Sequence, residues 1–492
     1  MNTSKQNTLN RQSRILFATH TRPDYMPPPA YSENMLICSP HYPDKQDKQG
    51  IIQSIRLPEK QHYDLAALID SLPVAQQPDL VIIRLDSTFQ HIPGNVQAIS
   101  QPTIGLIGDT HHMRRPLQTM LDYLLHERFD HLLIDHTPQH THWLAEAGLS
   151  PILWMPGTLL ADQWITPCKK PEPHVIFIGQ MGKAHPVRNR MLESMQQANI
   201  PLKIQTAPQA IACQQYNKAA ITFNHSLNGD FNLRVFETLA SGGFLLTEQL
   251  EPQAGQQNYF EDGEHLVCYK GSDDLIAKCR YYLEHPKERQ RIAKAGHARV
   301  KTLFSVQRRL SNFDALLSGQ IEPAWQQENF DKRVQAYGCK NRADLIQRMA
   351  IYEWVQEQHR VFKQLECRIS PNADPRMVCD LADLPRLILT IENNPAALTL
   401  AEQAGIAKGR FNKASSKPII MQLLASSDIE TIGISPDTAA IIISDWLDIN
   451  TNLRNKIDKL CSTANLTASN HTQGLFLSNL DWSDVWNKPP HT

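Results

Sequence analysis

Apolar and polar positions along the chain follow two periods. Short apolar runs at 14–19, 35–38, 79–84, 103–108, 131–134 and 152–155 are strand-like, and helical spacing fills most of the gaps between them. Buried strands joined by helices predict parallel pairing with right-handed crossovers, so 13–157 reads as one doubly wound domain behind a flexible N-terminus, 1–12. A second set follows. The run 174–179 ends in glycine, 220–223 is apolar, 224–230 is polar, and Val235, Phe236, Leu239 and Ala240 return at helical spacing until Gly242-Gly243 and a further strand at 244–247. Asp230 or Asn232 is placed to cap that helix. Residues 158–317 thus read as a second domain of the same kind. Beyond it, 318–370 is helical, with Leu345, Met349, Tyr352 and Val355 on one face, and 371–492 suggests a small α/β domain with strands near 387–389, 419–421 and 440–443. Asp445-Trp446 follows a strand there without any motif around it.

The segment 220–247 carries the clearest chemistry. In an open parallel sheet, ligands bind beyond the carboxyl ends of the strands, where a helix amino end presents N–H groups and partial positive charge to phosphate. Arg234 and Glu237 sit at the start of such a helix. A guanidinium there can clamp a diphosphate, and a carboxylate one turn on can accept bonds from two ribose hydroxyls. The same two residues at i, i+3 can also simply pair on a helix surface.

Asn232, Arg234, Phe236-Glu237 and Ala240-Ser241-Gly242-Gly243 form a pattern that continues through Tyr259, Phe260, Asp262-Gly263 and His265-Leu266-Val267, then Asp273-Asp274-Leu275, and then Arg289 to Gly296. This series resembles the donor half of group 1 glycosyltransferases, most closely the CgeB-like branch, and the resemblance extends over roughly residues 12–317. It implies an α/β chain with two facing Rossmann-like domains (GT-B type), plus the helical and small α/β extension. It further implies a hexosyltransferase-like enzyme that moves a sugar from a nucleotide-sugar to an unidentified glycan, lipid-linked or protein acceptor. Donor-binding residues implied are Gly179, Lys183, Arg188, Ser226, Asn232, Arg234 and Glu237. The nucleotide-sugar is a co-substrate, so no cofactor is expected. One position departs from the pattern: retaining relatives often carry an acid eight residues before the second Glu, where this chain has Gly229 with Asp230 beside it. A non-catalytic scaffold that kept the fold is the alternative reading.

The loops after the N-terminal strands are rich in His and Asp: His20, Asp86, the run Asp109-Thr110-His111-His112, and Asp135-His136. A base or electrophile for sugar transfer has to project from such a strand end, and Asp109, His111 and His112 are the candidates; related transferases often place a His in this loop. Neither His-Glu-x-x-His nor Cys-x-x-Cys spacing occurs, and no Asp-x-Asp is present in the two domains to hold a divalent ion, so a metal-independent site is expected. Gly179 and Gly182 lack the dinucleotide-binding spacing.

Composition adds limits. A net charge of −1 argues against general nucleic-acid binding, and nine cysteines without paired spacing suit a reducing, cytoplasmic setting. No run approaches the roughly twenty apolar residues of a membrane span. One local imbalance stands out: 278–309 holds ten Lys or Arg against two Glu. That is either a solvated helical face or a weak contact with an anionic membrane or acceptor.

Overall fold

The computed structural model describes residues 8–110, 115–149, 151–161, 164–182, 185–322, 336, 341–361, 365–384, 387–391, 394–403, 419–428, 438–443, 451, 455, 467–471 and 474–478. His111, His112, Lys183 and Asp445-Trp446 lie outside these residues. The chain packs as two compact units: residues 1–110, 122–141 and 151–327 form the first, and 111–121, 142–150 and 328–492 the second.

The first unit contains two doubly wound sheets, as the spacing predicts. In chain order the first half supplies β1 (Arg14–Ala18), β2 (Asn34–Ser39), β3 (Lys45–Gln46), β4 (Ile52–Arg56), β5 (His62–Asp64), β6 (Leu80–Leu85), β7 (Ile92–Gly94), β8 (Thr103–Ile107), β9 (His131–Ile134) and β10 (Ile152–Trp154). Eight of these form one sheet in the order β10-β9-β8-β6-β1-β2-β4-β3, parallel except for the β3–β4 pair. Its centre, β1, β6 and β8, is buried at every residue, which is why those strands read as unbroken apolar runs.

The second sheet comprises β11 (Glu172–Ile178), β12 (Leu202–Gln205), β13 (Ala219–Asn224), β14 (Leu245–Glu248) and β15 (Val267–Tyr269), all parallel, in the order β12-β11-β13-β14-β15. β12, at the sheet edge, is half-exposed or exposed at every residue and so lacks the apolar signature that marks the others. The helix Val306–Leu317 then returns to the first sheet, where Leu310, Phe313 and Leu316 join the core of Ile15, Phe17 and Ile82. Arg309 on that helix is fully buried; it donates to the carbonyls of Thr158 and Leu160, the crossover between the two sheets.

In the second unit, the helix Arg342–Val361 precedes β16 (Leu365–Ile369), β17 (Ile388–Ile391), β18 (Ile419–Leu424), β19 (Thr438–Ile443), β20 (Thr467–His471) and β21 (Gly474–Ser478). β16 falls inside the stretch expected to be helical. It is a central strand, paired on both sides, and Cys367 and Ile369 are buried. The order is β17-β16-β18-β19-β21-β20, with β21 antiparallel to both neighbours. The order reverses between β16 and β18, the place where a doubly wound sheet keeps its ligand. Here that crevice is laced by its own side chains: the Asn372 amide and backbone N–H both donate to Asp428, and the Ala425 N–H donates to Ser370. A buried ion cluster also holds this unit, in which Arg348 donates to Glu146 (2.7 Å) and forks onto Asp380 (2.9 and 3.0 Å) above the Trp143 ring. Among the described residues no helix is long and apolar enough to cross a membrane.

Candidate active site

In the second sheet the strand order reverses between β11 and β13, so the crevice beyond Ile178 and Asn224 is the place for a ligand. Asn224 organises it. Its Nδ2 donates to Thr247 on the next strand (3.0 Å), which fixes its Oδ1 to accept from Arg234 Nη1 (2.9 Å) and Asn232 Nδ2 (3.3 Å). Arg234 lies over the Phe177 ring, 4.8 Å from its centre, and rests against Gly179, where a β-carbon would collide with the guanidinium. Strand β11 is therefore followed by a glycine whose absent side chain leaves the space that the arginine occupies.

Asn232 takes the N-cap position of the helix Leu233–Ala240 (φ −76°, ψ 162°), yet its side chain makes no cap bond. The capping expectation is corrected here for both residues. Asn232 gives its amide to Asn224, and Asp230 accepts from the Asn228 N–H (3.4 Å). Among the described residues the helix amino end is consequently left without a side-chain cap, next to the guanidinium of Arg234, and this arrangement favours an anion.

Glu237 lies one turn on, half-buried, and accepts from Gln209 Nε2 (2.7 Å) on the helix Gln209–Lys218. Arg234 and Glu237 thus take separate partners rather than serving only as a surface pair. Burial raises the Glu237 carboxyl above the usual range, partly offset by Gln209, Arg234 and His136. Arg188 is buried, donates from Nε and Nη2 to the His225 carbonyl (3.0 and 2.9 Å) and from Nη1 to the Gln180 carbonyl (3.1 Å), and lies 5.3 Å from the same Phe177 ring. Burial, with Arg234 nearby, pushes it down to about 9. Its guanidinium is committed to shaping the loop, and its charge remains within the crevice. Ser226 is equally committed: its N–H (2.7 Å) and hydroxyl both donate to Glu248, which also meets His225 at 3.4 Å.

Gly229 has φ +71°, a left-handed conformation that a side chain strains, and its carbonyl accepts from Gln139 Nε2 (3.5 Å) of the first half. The acid missing from the family pattern is thus missing at a position whose backbone demands glycine. Asp230 stands next to it, buried, and its charge acts on His136.

Across the crevice, two His–carboxylate pairs lie at strand ends of the first sheet. That sheet reverses between β1 and β6, and the residues just past those ends, His20 and Asp86, meet at 2.9 Å (Nε2 to Oδ2). Against burial, which raises it, the bond and charge of His20 hold Asp86 below its ordinary range. Past β9, His136 Nδ1 lies 2.9 Å from Asp135. Burial lowers His136, but Asp135, then Asp230 and Asp109, carry it above its usual value. Asp109 is half-buried and its carbonyl accepts from the Ser87 N–H. The sequence reading named the loops of His20, Asp86 and His136 without selecting them. The signal lay in strand order, which brings the ends of β1 and β6 together although 66 positions separate His20 from Asp86. Among the described residues no group of three or more His, Cys, Asp or Glu is placed to hold a metal ion.

Gly179→Ala tests the fit at the end of β11. The new methyl has to displace the Arg234 guanidinium, so nucleoside diphosphate affinity measured by titration calorimetry is expected to fall at least about tenfold, the cost of one lost charge-assisted contact. The melting temperature should barely move. Unchanged affinity would show that Arg234 does not face the ligand.

Residues 188–315 match the family model described as glycosyl transferase-like. The segment spans Arg188, Ser226, Asn232, Arg234 and Glu237, and over this part the chain is similar to that family; the match does not name the CgeB-like branch. Comparison with curated proteins gives no match. Among solved structures, a sucrose-phosphate synthase from Thermosynechococcus elongatus is 12% identical with a TM-score of 0.43, covering 63% of this chain and 99% of its own. HepE of Anabaena, solved with UDP and glucose, is 11% identical with a TM-score of 0.41, covering 63% and 100%. TarM is 10% identical with a TM-score of 0.37, covering 48% and 53%. At these scores the likenesses decide neither substrate nor mechanism.

Proposed function

We propose that the chain transfers a sugar from a nucleotide-sugar to an acceptor held against the first sheet. The observation that carries this reading is the meeting of Arg234, Gly179 and an uncapped helix end at the reversal point of the second sheet, with Glu237 one turn deeper. The diphosphate would lie against Arg234 and the helix end, with the charge of Arg188 behind it, and Glu237 would take the ribose hydroxyls. Charge developing on the departing diphosphate is then met by preorganised donors, so a divalent ion is not required for that role. Lys183 follows the Gly179 loop in sequence and is proposed as a further phosphate contact.

On the acceptor side, Asp86 on Nε2 of His20 makes Nδ1 the basic nitrogen, suited to deprotonating a hydroxyl. His136, held towards its charged form by Asp135 and flanked by Asp109 and Asp230, suits the leaving-group side. His111 and His112 follow Asp109 in the same strand-end loop and remain proposed contacts to sugar or acceptor.

A panel of nucleotide-sugars incubated with the full chain, read by mass analysis of the nucleotide and sugar products, tests the proposal. Release of a nucleoside diphosphate from at least one donor, undiminished by EDTA, is expected. A full panel without hydrolysis or transfer, in a protein that still binds nucleotide, would favour the scaffold reading.

A further inference from the structure

The second sheet has a cavity at its other end. It lies at the amino ends of β13 and β14, about 17 Å along β13 from Asn224 at the strand rise of ~3.3 Å per residue. Its volume is about 260 Å³. Pro167, Phe244 and Ala293 give it apolar walls, while Arg289, Lys169 and Lys294 bring three cations to it, and no acidic residue is among its described lining. Arg289 decides the chemistry. It is only 5% exposed, its Nη1 donates to the carbonyls of Tyr282 and Leu283, and its buried Nε–H has no partner among the described residues. A buried guanidinium with an unmet donor beside a cavity is costly unless an acceptor arrives, and charge-assisted acceptors are the strongest. Lys294 and Lys169 are exposed at the rim, and no acid within the cavity cancels them.

We infer that this cavity is a second ligand site, distinct from the donor crevice, for a small amphipathic anion: an aliphatic or aromatic body on the Phe244 and Ala293 walls, with a phosphate or carboxylate on Arg289 and Lys294. Its floor consists of Ala219-Ala220 and Gly242-Gly243, the residues that follow the helices Gln209–Lys218 and Leu233–Ala240. Those are the helices on which Gln209 and Glu237 meet. Gly242 is at φ +71°, and a β-carbon there would lie 2.7 Å from Pro167 Cα, so the floor is closely packed against the wall. A bound anion would therefore press on the far ends of both helices that build the donor crevice.

Cys168 provides the readout. It lines the cavity and is half-exposed, whereas the other free cysteines of the described residues are buried. Octyl phosphate is the probe, with inorganic phosphate and octanol as its separated halves. Alkylation of Cys168 by iodoacetamide in the full chain, followed by peptide mass mapping, should slow about tenfold at octyl phosphate near ten times its Kd. Either half alone should protect far less. Lys294→Glu, at an exposed position, should fold normally and lose most of the protection. Alkylation unaffected by millimolar octyl phosphate, equal protection by inorganic phosphate, or full protection in Lys294→Glu would overturn the inference. The readout does not involve nucleotide, so failure of the donor reading leaves it standing.

Discussion

Glu237→Gln is expected to lower nucleoside diphosphate affinity by about a hundredfold, since two hydroxyl bonds to a carboxylate at ~2.5 kcal/mol each are replaced by neutral ones at ~1 kcal/mol each. The pH dependence makes the result specific. Burial raises the Glu237 carboxyl, so the folded state holds that proton more tightly than the unfolded chain does. Stability from this group therefore grows as pH falls through the raised value, while ribose binding, which needs the carboxylate, is lost over the same range. Affinity should weaken as pH falls through that raised value in the native protein and lose that dependence in Glu237→Gln. The variant should also melt no lower than the native protein at neutral pH, because a partly buried charge has gone. Titration calorimetry between pH 5 and 8, with melting curves at the same pH values, reads both effects. A variant that keeps native affinity and pH dependence would remove Glu237 from the ribose.

Arg234→Ala is expected to reduce turnover by about 10²–10³, the usual cost of removing one preorganised donor to developing charge. Arg234→Lys should restore little, because the geometry depends on a guanidinium held 4.8 Å over the Phe177 ring while its Nη1 reaches Asn224 at 2.9 Å. A point charge on a flexible stem meets neither condition. Steady-state rates on a saturating donor measure this. A lysine variant with near-native turnover would show that charge alone suffices and that the contact with Phe177 is incidental.

Much of this crevice was visible in the chain. The β11 and β13 runs and the spacing of Val235, Phe236, Leu239 and Ala240 predict strand, loop and helix because both faces of those strands, and one face of the helix, are buried. Features that depend on strand order were not visible. Asn224 reads as an ordinary loop polar residue, and its role follows only from the pairing of β13 with β14, which brings in Thr247. His20 and Asp86 meet only because β6 inserts beside β1. Gly229 read as a lost acid until its left-handed backbone gave a reason for glycine.

The basic stretch 278–309 offers a different lesson. Arg280, Arg291 and Arg299 donate to the carbonyls of Ala198, Gly263 and Tyr259, and Arg289 and Arg309 also bind carbonyls. Composition registers these as surface charge, yet the fold uses them as clamps on chain ends. Lys294 is left to face the second cavity.

The central claim, that a nucleoside diphosphate binds at the reversal point of the second sheet, is tested most directly by titrating a panel of nucleoside diphosphates into the full-length protein by calorimetry and repeating the best ligand with Glu237→Gln and Arg234→Ala. Saturable binding of at least one nucleotide, weakened by both substitutions in proteins that still fold, is the expected result. Absence of binding across the panel, or binding that neither substitution changes, would contradict it.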